Sequence, residues 1–189
     1  MTTAGKRLTI LSNSEIEILY RIPSFSTEER TFYFSLDESE KIEMDLLKSL
    51  ESRVYFILQL GYFKYKSMFF NFTSLEEVKE DVEYILKQYF QNSNVKKMIS
   101  KQTRSDNNSK IIKILSYKYF DKEAEKKVIE KTSQYSKICV DPRLIFDHLL
   151  DYLEQERISI PGYSTLQKII SKTLLEESGF CGSVAFEES

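Results

Sequence analysis

One histidine, His148, and two cysteines, Cys139 and Cys181, are all the soft ligands and neutral-pH bases in this 189-residue chain. Nucleophilic catalysis needs such groups in company, a base within reach of a nucleophile and a third group to orient it. A structural zinc site needs several Cys or His at close spacing. His148 stands alone beside Leu149 and Leu150 and reads as a helix-surface or core-edge residue. Cys139 and Cys181 fit neither a metal spacing nor a disulfide framework. Asp147 and Asp151, at i and i+4, offer a divalent cation only two of the roughly six oxygens it needs. Glycine-rich phosphate loops and nucleophile elbows are missing from the sequence. The expectation is a chain with no catalytic residues, no metal and no cofactor.

Cations offer more. The net charge is −2, but residues 1–94 carry 11 Lys/Arg against 15 Asp/Glu, residues 95–131 carry 11 against 5, and residues 132–189 carry 5 against 9. A basic island of net +6 thus lies between acidic flanks. Lys96, Lys97, Lys101, Arg104, Lys110 and Lys113 crowd it, and side chains of that length reach phosphate oxygens. The competing reading is a solvated helix face. Further on, Arg157 to Ile170 places Pro161-Gly162 between two apolar-striped segments, the outline of a helix-turn-helix. In that outline Tyr163, Ser164, Thr165, Gln167 and Lys168 form the first turn of the second helix, where Gln can pair with adenine and the Thr methyl can pack on thymine. An ordinary helical hairpin has the same outline.

These residues need elements to hold them. Ser12 and Ser14, each followed by Glu three residues on, predict a helix from Ser14 to Tyr20, ended by Pro23. Ser35 with Glu38 opens a region of helical periodicity that runs as one long or two shorter helices to Tyr65. Ser74 with Glu77 precedes the stripe Leu75, Val78, Val82, Ile85, Leu86 and Tyr89. Gln91–Asn94 is a polar break. Helices are then expected over Val95–Ser100, Ser105–Leu115, Asp121–Tyr135 with Asp121 as cap, and Arg143–Glu156 behind an Asp141 cap and Pro142. Ser164 caps the last one. No strand-like alternation rivals these patterns, so the expected fold is all-α, with two small helical subdomains over 11–91 and 95–177. Residues 178–189 lack periodicity and are expected to fray.

Hydrophobic residues make up 41% of the chain and charged ones 30%, an ordinary globular balance. The 25 Tyr and Phe side chains first of all fill cores. No run of ~20 apolar residues occurs, and the first ten residues hold Lys6 and Arg7 but no apolar stretch, so neither membrane insertion nor secretion is expected. A reducing cytoplasm is the expected location, and the duplex-binding reading would place the chain on the nucleoid.

Several ordered segments resemble the N-terminal region of transposases of the Tn-three family of replicative transposons. They are Leu11-Ser12 with Glu15 and Ile22-Pro23; Arg30 with Phe32, Phe34 and Leu36; Arg53 with Ile57 and Leu60-Gly61-Tyr62-Phe63-Lys64-Tyr65; Thr103-Arg104; and Glu156-Arg157-Ile158 with Pro161-Gly162 and Leu166. The resemblance spans about Leu11 to Leu175. It implies helical, helix-turn-helix-like domains similar to the centromere-protein-B type, which bind the terminal inverted repeats of the transposon as double-stranded DNA. The Asp-Asp-Glu triad and its Mg²⁺ belong to a later part of a much longer chain, so the resemblance implies end recognition without cleavage, in an excised domain or a truncated product. Such a product would meet full-length transposase as a partner or competitor. Three positions depart from the pattern: Tyr55 where Gly is usual, Lys64 where Arg is usual, and Asn107 where His is typical. A helical protein-interaction module is the expectation from a different class.

Overall fold

Side chains reaching back to the backbone set the helix starts. Ser12 accepts the Glu15 N–H at 3.3 Å while the Glu15 carboxylate accepts the Ser12 N–H at 2.8 Å. Ser26 with Glu29 and Asp37 with Glu40 repeat this reciprocal pair, which satisfies two orphan donors at each start. In the computed structural model, which describes residues 8–177, these pairs open α1 (Asn13–Tyr20), α2 (Thr27–Tyr33) and α3 (Glu38–Asp45). There follow α4 (Leu50–Lys66), a 3-10 turn (Leu75–Val78) leading into α5 (Lys79–Tyr89), α6 (Lys101–Ile114), α7 (Lys122–Ser136), α8 (Pro142–Gln155) and α9 (Tyr163–Glu177). The described residues are all-α: they hold no strand, only an isolated bridge between Lys118 and Ile158. None of their helices is long and apolar enough to cross a membrane. The expected tail 178–189, with Cys181, lies outside the described residues.

Four local expectations are corrected. The short helix over Val95–Ser100 does not form; Ser100 instead caps α6 by accepting the Thr103 N–H at 3.1 Å, and a cap residue is extended, so the chain ahead of it leaves the helix. The Ser35–Glu38 start gives way to Asp37–Glu40. Helix α2 was not expected, because it buries no residue and shows no apolar stripe; its one signal is the Ser26–Glu29 pair. Finally, α9 starts at Tyr163, with the Gly162 carbonyl accepting the Thr165 N–H at 2.9 Å, so Ser164 lies inside the first turn.

The described residues divide into two compact units, one of residues 21–119 and 157–160 and the other of residues 8–20, 120–156 and 161–177. The 21–119 unit is built around α4, against which α2, α3, α5 and α6 pack. Helix α6 joins this unit because Asn107, fully buried, donates from Nδ2 to the Ser52 carbonyl and hydroxyl at 2.9 and 3.0 Å. Every residue of α4 from Val54 to Phe63 is buried, as suits a helix that is apolar nearly all round. Each large side chain so buried contributes roughly 1.5–3 kcal/mol. Gln59 serves as a surrogate backbone, donating to the Phe70 carbonyl at 2.6 Å and accepting the Phe70 N–H at 3.1 Å.

The three departures from the resembled pattern are packing positions in this unit. Tyr55 is buried with its ring 5.7 Å from that of Phe72, Asn107 makes the bonds just given, and Lys64 donates to Glu40 at 2.8 Å and to the Ser35 carbonyl at 3.0 Å. Gly61 is needed for close approach: a Cβ there would stand 2.4 Å from Cδ1 of Phe34, itself buried and unable to yield. Gly61→Ala should therefore cost about 1–3 kcal/mol through overpacking. Urea denaturation measures it, and an unchanged midpoint would refute the close approach.

The other unit joins α1 to α7, α8 and α9, with α7, α8 and α9 packed on one another. Its core is Val128 of α7 with Ile145, Phe146, Leu149 and Leu153 of α8 and Leu166 and Ile170 of α9, apolar residues spaced to share one face of each helix. Asp141 accepts the Arg143 N–H at 2.8 Å, with Pro142 in the first turn, as expected. Arg143 bridges Asp147 and Glu15, and the Glu15 carboxyl, held first by Ser12, is lowered to about 2.

Candidate nucleic-acid interface

The basic island straddles the boundary between the units. Residues 95–119 hold seven Lys/Arg and one Asp, whereas 120–131 hold four of each sign, so the whole excess of +6 falls on the segment that carries α6. Lys96 and Lys97 lie on the extended stretch ahead of α6, Lys101 begins the helix and Lys113 stands in its last turn. All four are exposed and make no side-chain hydrogen bond or ion pair among the described residues. Lys118, also exposed, stands apart from them beyond the helix, its backbone bonded to Arg157 and Ser159. Twelve residues of helix separate Lys101 from Lys113, about 18 Å along the axis. They also stand about a third of a turn apart around it, so the two lysines mark its opposite ends and not one aligned row.

The other two island candidates are engaged inside the unit. Arg104 is half-buried and turned toward the carbonyls of Ile99 and Phe72, at 3.4 and 3.5 Å, which fastens the stretch before α6. Lys110 pairs with Glu43 of α3 at 2.9 Å. A cation already facing a carboxylate brings little net attraction to a phosphate.

Helix α9 has two polar faces of different use. Tyr163, Gln167 and Ser171 recur every fourth residue and hold the segment 8–11: the Ile10 and Leu11 N–H groups donate to the Tyr163 hydroxyl at 3.3 and 3.2 Å, Gln167 donates to the Leu8 carbonyl at 2.9 Å, and the Leu8 N–H donates to Ser171 at 3.1 Å. Tyr163 also meets Phe146 and Tyr20 edge-on, at 6.0 and 6.4 Å between centroids. Two of the five expected base readers are thus occupied by the fold. Ser164, Thr165 and Lys168 are on the other face, where with Lys172 they line a groove of about 450 Å³ whose opposite wall is Glu125 and Ile129 of α7. Sequence reading missed Lys172 by stopping at the first turn, although it stands one helical step beyond Lys168.

Entry to α9 differs from a tight helix-turn-helix corner. Seven residues separate α8 from α9. Of these, Arg157 is left-handed at φ 52°, and Arg157–Ile160 belongs to the 21–119 unit, pairing with Lys118 and Ser67 through bonds of 2.7–2.8 Å. Gly162 is exposed and a Cβ there would meet nothing within 4 Å, so the first turn of α9 is open to a ligand. His148 lies exposed on α8, stacked on Tyr135 at 5.1 Å, and no group of three or more His, Cys, Asp or Glu able to hold a metal occurs among the described residues. Cys139 is a free thiol.

No curated protein matches the chain. The model of the family described as a domain of unknown function, DUF4158, matches residues 10–173, which takes in all nine helices of the described residues apart from the last turn of α9. By that match, the chain belongs to the DUF4158 family.

Proposed function

We propose that this chain is a non-catalytic duplex-DNA-binding module that recognises the terminal inverted repeats of a transposon, as the N-terminal region of a Tn-three-family transposase. The observation that carries the reading is the set of four exposed, unpaired lysines on a segment of net +6. Phosphate contacts from Lys96, Lys97, Lys101 and Lys113 position the protein, and the open face of α9 supplies base contacts. Full-length transposase is the protein partner this reading implies, either as the chain of which this module is a part or as a competitor for the same ends.

A gel shift against inverted-repeat and scrambled duplexes tests it. The inverted repeat should bind more tightly, and Thr165→Ala with Lys168→Ala should bring the two duplexes together while leaving scrambled binding nearly unchanged. If the double variant keeps the full preference, α9 is not the reader.

A protein-interaction module is the second reading. It is favoured by Ile138 and Val140, 87% and 78% exposed on the loop between α7 and α8. In that case a protein is retained at high salt and duplex is not retained at low salt.

A further inference from the structure

The groove beside α9 has two chemically different walls. On the α9 side Lys168 and Lys172 can only donate, Ser164 and Thr165 can donate or accept, and Glu176, at the far end, can only accept. On the α7 side Glu125 can only accept; it is exposed and makes no ion pair or side-chain hydrogen bond among the described residues. Lys172 faces Glu176 at 3.7 Å with both side chains about two-thirds exposed, a solvent-screened contact of little net worth that leaves the ammonium free to swing to another acceptor. From Ser164 to Lys172 the lined face runs eight residues, about 12 Å. That is three to four base steps at roughly 3.4 Å each.

We infer that Lys172 and Glu125 are specificity determinants of this face, Lys172 selecting guanine and Glu125 selecting a base with an exocyclic amine. The inference rests on the duplex-binding reading above. A lysine ammonium fits the paired O6 and N7 acceptors of guanine, whereas a carboxylate in the major groove finds donors only on cytosine N4 and adenine N6. Glu125 also repels phosphate, so a DNA strand lowers its energy in this groove by turning base edges, not backbone, toward α7. From Ser164 to Lys172 the face therefore offers donors along α9, with the Glu125 acceptor across from them and the Glu176 acceptor at the end, which makes its preferred site asymmetric.

The test is selection from a randomised duplex library with the whole chain, followed by titration of the selected and an unselected duplex. Glu125→Gln, whose amide donates as well as accepts, should erase the cytosine or adenine preference at one position. It should also narrow the gap between the two duplexes by roughly tenfold. Lys172→Ala should weaken the selected duplex by roughly tenfold and the unselected one far less. Both side chains are exposed, so unchanged far-UV dichroism serves as the folding control. Lys168→Ala runs in parallel. If it abolishes selectivity while Glu125→Gln and Lys172→Ala enrich the wild-type motif at wild-type ratios, the inference is overturned and the duplex reading survives. If the wild-type chain enriches no motif, both are overturned.

Discussion

Replacing Lys96, Lys97, Lys101 and Lys113 together by Ala should flatten the salt dependence of duplex binding by about 3.6 in the slope of log affinity against log salt. Each phosphate contact releases about 0.9 of a counterion, and four contacts are removed. The loss should be nearly the same on any duplex, because phosphate contacts carry no sequence information. Stability should change little, since the four side chains are exposed and touch no partner. Lys110→Ala is the informative contrast. Its ammonium faces Glu43 at 2.9 Å with about a third of each side chain exposed, so its removal should cost at most about 1 kcal/mol of stability and leave the slope almost unmoved. A quadruple variant with the wild-type slope, measured by fluorescence anisotropy over a salt series, would remove these lysines from the interface.

Asp81→Ala should destabilise the 21–119 unit by about 3–5 kcal/mol. Asp81 is 4% exposed, with Oδ1 accepting from Arg30 Nε at 2.7 Å and Oδ2 accepting from the Tyr62 hydroxyl at 2.6 Å. Tyr62 is wholly buried. That burial, with the neighbouring carboxylate adding to it, drives the phenol far above its usual range, so it remains a donor at any working pH. Removing the carboxylate leaves a buried hydroxyl without an acceptor and a largely buried guanidinium with only Glu80, at 2.7 Å, to face. Tyr62→Phe leaves Asp81 its arginine but takes the donor from Oδ2, and should cost about 1.5–3 kcal/mol. Glu80→Ala, at an 80% exposed side chain, should cost less than about 1 kcal/mol. Denaturant midpoints in the order Asp81→Ala, Tyr62→Phe, Glu80→Ala, from lowest to highest, express the network; equal midpoints would dissolve it. The consequence reaches function, because α6 packs on the same α4 that carries Tyr62 and loses its platform when this unit unfolds.

What the sequence made legible was local. Asp121 and Asp141-Pro142 announce α7 and α8 because capping is a matter of three or four neighbouring residues. The apolar stripe of α5 and the charge island are likewise patterns within one window. What stayed hidden depends on partners far along the chain. Gln167 looked like a base reader because nothing nearby in sequence says that its amide bonds the Leu8 carbonyl, 159 residues away. Arg104 and Lys110 looked like phosphate contacts for the same reason, their partners lying on Phe72 and Glu43. Nothing in the window around the polar residues 91–94 tells that α6 packs on α4, with Asn107 bonded to Ser52 55 residues away. Arg157–Ile160 could not be assigned to the 21–119 unit from a window containing neither Lys118 nor Ser67. Helix α2 escaped for an opposite reason: it buries no residue, so only its cap speaks for it.

The central claim, that a lysine-bearing surface on residues 95–119 meets the phosphates of a duplex, is tested most directly by titrating the wild-type chain against a fluorescent duplex from 50 to 200 mM salt. Four phosphate contacts predict a straight log–log line with a slope of about −3.6, hence an affinity about 150-fold weaker at the upper end. An affinity that stays constant across the series, or no binding at its lower end, would contradict it.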